Sequence, residues 1–127
     1  MAKPPPVPSY LLEDGPGREA WSRLWTAGAG WLSPKTDLGI MTRLCEYLDE
    51  RYAIGQEISE DGYTVRGSQG QVRPHPLLAR LQVIDAGILA IEKSCGFTPA
   101  DRTRMAVVEA KPPSIVETLR AKRGTGA

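Results

Sequence analysis

The stretch PHPLLARLQVIDAGILAIEKSCGFTPADRTRM, residues 74–105, decides the fold. Leu77, Leu78, Leu81, Ile84, Ile88, Ile91 and Cys95 recur at threes and fours, which predicts one long helix from about Pro76 to Cys95, entered through an extended Pro74-His75-Pro76. Gly96 stands where helices commonly end in a left-handed residue, and Phe97 supplies the apolar contact that goes with such an end. Thr98-Pro99-Ala100-Asp101 then opens a fourth helix, expected to reach about Glu109. Thr98 caps it, Pro99 fills its first position and Asp101 answers the amino-terminal dipole, an arrangement that contributes roughly 1 kcal/mol. Val83 and Leu89 widen the apolar surface of the long helix beyond the need of a peripheral helix. Burial stabilises by about 2 kcal/mol per such side chain, so a contact with another helix or subunit is expected. Leu77, Leu81, Ile84, Ile88 and Ile91 are the candidates for that contact, and form the oligomer interface if it is made with another subunit.

Toward the amino terminus, Asp61-Gly62, Tyr63-Thr64-Val65, Gly67-Ser68-Gln69-Gly70 and Gln71-Val72-Arg73 place β-formers on both sides of a glycine-bounded turn, which predicts a short hairpin. A lone hairpin is marginal in water, so it should lean on the helices or on another subunit. Before it, Leu38, Met41, Leu44, Cys45, Leu48 and Tyr52 form the apolar side of a second helix opposite Arg43, Glu46, Asp49 and Glu50. Ser33-Pro34 is its expected start, and Gly55 its expected end or bend. A first helix follows Gly15-Pro16-Gly17 and runs to about Ala27, with Trp21 and Trp25 four residues apart. The three tryptophans read as core or interface packing rather than as base-stacking platforms.

The expected fold is mostly α: a small helical domain of about four helices with a short β-hairpin before the long third helix. Residues 1–16 read as a flexible, proline-rich arm, 17–109 as the helical core and oligomerisation domain, and 110–127 as a flexible basic tail. Ser114 and Glu117 match a capping box in that tail, so Ile115, Val116 and Leu119 are candidates for a short partner-docking helix.

The chain has 127 residues and a formal charge of +1, which excludes neither a nucleic-acid nor a protein partner. The charge is unevenly placed. Residues 33–62 hold three basic against seven acidic side chains, whereas 63–81 hold Arg66, Arg73 and Arg80 with no acid, and 98–127 hold six basic against three acidic. Such segregation suits phosphate contact through a patch, head-to-tail subunit contact, or simply solvated helix faces.

No pattern of catalytic residues emerges. His75, the single histidine, lies between two prolines and reads as a turn residue. Asp49-Glu50, Glu57 and Glu60-Asp61 lack the ligand spacing of a calcium loop and read as a solvated acidic face. Gly67 and Gly70 are not followed by the Gly-Lys-Ser/Thr of a phosphate-binding loop. Cys45 and Cys95 sit within apolar helical patterns and read as reduced packing residues. No metal and no cofactor is expected, and no run of apolar residues is long enough for a membrane span. With no apolar signal region in Met1 to Pro8, a cytoplasmic location is expected.

From Gln71 to Met105 the sequence resembles the phage terminase small subunits. His75-Pro76 opens a long helix, and the run from Gly96 to Met105 is similar to the family's G-[LF]-T-P-x-[SD]-R-x-R ending, with Arg102 and Arg104 matching its arginines. The order of a tryptophan-bearing helix, a tyrosine-bearing helix from Leu38 to Tyr52, a glycine-bounded hairpin and a long helix agrees over about residues 17–106. The resemblance implies a non-catalytic adaptor that forms a homo-oligomeric ring and binds viral double-stranded DNA in the cytoplasm of an infected or lysogenic bacterial host. Its further partner would be the terminase large subunit, which carries the ATPase and nuclease. Arg66, Arg73, Arg102 and Arg104 are then the candidate DNA contacts. Two readings stand beside it, a dimeric DNA-binding regulator and a protein-protein adaptor with no DNA contact. The chain has no evident helix-turn-helix with a basic recognition helix.

Overall fold

The computed structural model describes residues 3–104 together with residues 116, 119, 120 and 122. The elements run α1 (Pro16–Ala27), α2 (Leu38–Asp61), β1 (Thr64–Arg66), β2 (Val72–Pro74), α3 (Leu77–Ser94) and α4 (Pro99–Arg104). Three helices build the body rather than about four. The expected fourth is a six-residue segment among the described residues, and its continuation to Glu109 lies outside them.

The helix α2 packs against both α1 and α3. Met41, Leu44, Cys45, Ile54 and Ile58 of α2 join Trp21, Leu24 and Trp25 of α1 and Ile84, Ile88 and Ile91 of α3 in one buried cluster. The α1–α2 approach is close because Gly17 carries no side chain: a Cβ there would collide with the Cys45 carbonyl oxygen. Trp21 and Trp25 pack edge to face, with centroids 5.8 Å apart. Their expected core role is what the structure shows.

Two expectations for α2 are corrected. Ser33 accepts the Lys35 amide, but Asp37 folds back to accept the Ser33 amide at 2.8 Å and closes a separate turn, so the helix starts at Leu38. Gly55 does not end the helix, which continues to Asp61.

The proline-rich stretch expected to be a free arm is tied down from Pro5 onward. The Trp21 indole donates to the Pro5 carbonyl at 2.7 Å, Arg18 donates to the carbonyls of Leu11 and Leu12, and Leu11 belongs to the core.

The hairpin is antiparallel, with Thr64 opposite Pro74, Val65 opposite Arg73 and Arg66 opposite Val72. Gly67 N–H donates to the Gln71 carbonyl and Gly70 N–H to the Gly67 carbonyl, which leaves Ser68-Gln69-Gly70 as a three-residue loop. Gly70 takes the positive φ of 81° that such a loop requires at its last position.

The end of α3 follows the sequence closely. Phe97 N–H donates to the Glu92 carbonyl and Gly96 N–H to the Lys93 carbonyl, with Gly96 at φ 73°, the two-bond pattern that satisfies free carbonyls at a helix end. Phe97 packs on the core and meets the Trp31 ring at 6.3 Å, while the Trp31 indole donates to the Cys95 carbonyl.

Candidate nucleic-acid interface

The acidic block on α2 is largely consumed inside the molecule. Gly15 precedes α1 without a side chain to cap it, and Asp49 of α2 supplies that cap from across the helix pair. Its two oxygens accept the Gly17 and Leu12 amides, both at 2.8 Å, and the group is buried. A carboxylate there also faces the positive end of the α1 dipole. The expected solvated role of Asp49 is therefore corrected.

Glu50 receives two hydrogen bonds from Arg80 of α3, at 2.6 and 2.9 Å, and this guanidinium holds the Glu50 carboxyl below its ordinary range. Arg51 pairs with Asp85 of α3 at 2.6 Å. Asp61 accepts from His75 Nε2 at 2.9 Å. Because His75 Nδ1 accepts the Leu77 amide, the ring hydrogen belongs on Nε2. His75 is buried and joins the hairpin to the start of α3, the turn role expected of it. Glu57 and Glu60 are exposed on the same helix.

The arginines fall into two groups. Arg66 and Arg73 lie on the hairpin, both exposed. Arg66 donates to the Gly70 carbonyl at 3.1 Å, and the Arg73 side chain has no hydrogen bond or ion pair among the described residues. Arg102 and Arg104 lie on α4, at the other end of α3, a helix whose 18 residues extend about 27 Å. The four expected DNA-contact arginines thus do not form one patch. Arg104 pairs with the buried carboxylate of Asp101 at 2.8 Å, and Asp101 in turn accepts the Thr98 hydroxyl and donates its amide back to it. Arg104 is thus partnered by a carboxylate at the start of its own helix. Arg102 is half-buried.

The hairpin stands off the body. Apart from Val65, which is half-buried, every residue of both strands is exposed, Val72 at 66% and the adjoining Tyr63 at 75%. At its base, His75 N–H donates to the Tyr63 carbonyl and His75 Nε2 donates to Asp61. Between Gly62 and Ile84 there is no acidic residue to neutralise its arginines.

The expected oligomer face divides. Ile84, Ile88 and Ile91 are buried in the chain's own core, and Leu77 and Leu81 are half-buried against it. What α3 leaves in the open is Val83 and Leu89. In the tail, Val116 and Leu119 are helical and exposed, and Ile115 lies outside the described residues.

Sequence reasoning missed Asp49 as a cap and Trp31 as the cover of the α3 carboxyl end, since both act across more than thirty residues of chain. Both cysteines are free and buried. Burial and the nearby Asp49 push the Cys45 thiol up to about 12, and burial with Asp37 raises that of Cys95, so neither is a ready nucleophile. Among the described residues there is no cluster of three metal-ligating side chains, and no helix is long and apolar enough to cross a membrane.

No curated protein and no solved structure matches the chain. The order just described, from the Gly17 contact of α1 through the hairpin, the long α3 and the Gly96 corner, falls within residues 17–112 matched by the family described as phage terminase, small subunit, and the chain belongs to that family.

Proposed function

We propose that this member of a phage DNA-packaging family is a non-catalytic adaptor, which binds viral double-stranded DNA, assembles into a ring and recruits or regulates the large ATPase/nuclease subunit in the bacterial host cytoplasm. The observation that carries the DNA reading is the contrast among arginines. Arg51, Arg80 and Arg104 are tied to carboxylates, whereas Arg66 and Arg73 project on a hairpin free of acids. Exposed guanidinium groups without carboxylate partners remain available to phosphate, whose neutralisation releases counterions. Arg102 and Arg104 are a second, weaker contact, because Arg104 would have to leave Asp101.

For the ring, Val83 and Leu89 on the open side of α3 are the contact, with Leu77 and Leu81 at its edge. For the large subunit, the docking segment is the tail helix with Val116 and Leu119, joined by Ile115. The test combines solution mass with binding of a duplex across a range of salt. A ring mass together with affinity that falls steeply with salt supports the reading. A monomer or dimer at micromolar concentration removes the ring, and salt-independent or absent binding removes the DNA contact. Deleting residues 112–127 should abolish stimulation of the large subunit while leaving the oligomer intact.

A further inference from the structure

We infer that the hairpin enters the major groove of duplex DNA tip first, with Arg66 and Arg73 reaching phosphates on opposite walls of the groove. The inference rests on the DNA-binding reading above and concerns how that contact is made.

The register carries it. Residues directly opposite in an antiparallel pair share a face, so Thr64, Arg66, Val72 and Pro74 lie on one face of the ribbon and Val65 and Arg73 on the other. A ribbon laid flat on DNA would offer one arginine to the backbone and turn the other away. A ribbon inserted by its tip has a phosphate wall on each side, and each arginine then has its own. The dimensions agree. A ribbon with its side chains is about 10 Å thick, judged by the spacing of stacked sheets, and the major groove is roughly 12 Å wide and 8.5 Å deep. Strands of three residues at about 3.4 Å each project far enough to fill that depth. The minor groove, about 6 Å wide, is too narrow.

The tip is suited to a groove floor. Its loop residues Ser68 and Gln69 are exposed, polar and uncharged, and both can donate to and accept from base edges. The Gln71 side chain folds back to accept the Gln69 amide, which stiffens the loop without a partner. The ribbon needs a partner on physical grounds as well, because two exposed strands are marginal in water.

The experiment measures binding of the full chain to a mixed-sequence duplex and to a single strand of equal length, each across a salt series. On the duplex, Arg66→Ala and Arg73→Ala should each lower the slope of log affinity against log salt by about 0.9, and the double variant by about 1.8. Arg66→Lys should keep the slope, which separates charge from loop geometry. On the single strand, the double variant should lose no more than one arginine's share. A minor-groove-binding polyamide should not displace the protein. Wild-type slopes on the duplex for both variants would overturn tip insertion while leaving the DNA reading intact. Equal loss on single and double strands, displacement by the polyamide, or a change in solution mass of the arginine variants would overturn it too. Absence of duplex binding by the unaltered chain would instead remove the DNA reading itself.

Discussion

The helix α2 and the hairpin that follows it treat polar groups in opposite ways. Near the middle of the helix, Asp49 is buried and both of its oxygens are used, capping α1 and holding the amino-terminal stretch at Leu12. Past its end, the hairpin leaves Tyr63, Val72, Arg66 and Arg73 exposed and is attached through His75. The first arrangement contributes to folding stability. The second contributes little to it, and its side chains are available to something outside the chain. Charge on the surface map is therefore a poor guide to partners here, since the acidic block is mostly internal wiring and the small basic hairpin is not.

The contrast can be broken or sharpened in order of expected effect. Asp49→Ala removes a charged acceptor from two amides and should destabilise by about 3 kcal/mol, read by urea or thermal unfolding. A loss below about 1 kcal/mol would show that water replaces the carboxylate and that the site is no anchor. Gly17→Ala forces a methyl group against the Cys45 carbonyl and should cost about 2 kcal/mol through separation of α1 from α2.

Arg80→Ala should have a smaller effect, because the pair with Glu50 is partly exposed and screened. Glu50 has a lowered folded-state pKa, so its contribution is present above the ordinary carboxylate range and is lost as pH falls through the folded value. Unfolding followed from neutral to acid pH should lose that part of its pH dependence in the variant. Smallest of all is the stability effect of Arg66→Ala with Arg73→Ala, within about 0.5 kcal/mol, as for other exposed changes.

What the sequence made legible follows the range of the interactions. The carboxyl end of α3, the Thr98 cap and the hairpin loop are set by neighbours a few residues apart, so Gly96, Phe97, Thr98 and Gly70 could be read directly. Asp49 could not, because its two amide partners lie 32 and 37 residues away in a stretch with no distinctive pattern. Prolines 4, 5, 6 and 8 reveal local backbone shape but not docking, which depends on the Trp21 indole reaching the Pro5 carbonyl. The α3 isoleucines were legible as an apolar stripe, but periodicity does not say whether α2 or another copy covers it. Of the candidate DNA contacts, the residues were readable and their division between two ends of α3 was not, since that separation belongs to the folded chain.

We propose that the hairpin serves a partner rather than the fold. The most direct test is the duplex affinity of the Arg66→Ala, Arg73→Ala double variant, measured at low salt alongside its melting temperature. An unchanged melting temperature is expected, with affinity reduced by at least tenfold, roughly 1.4 kcal/mol. Unchanged affinity in a stably folded variant would contradict it.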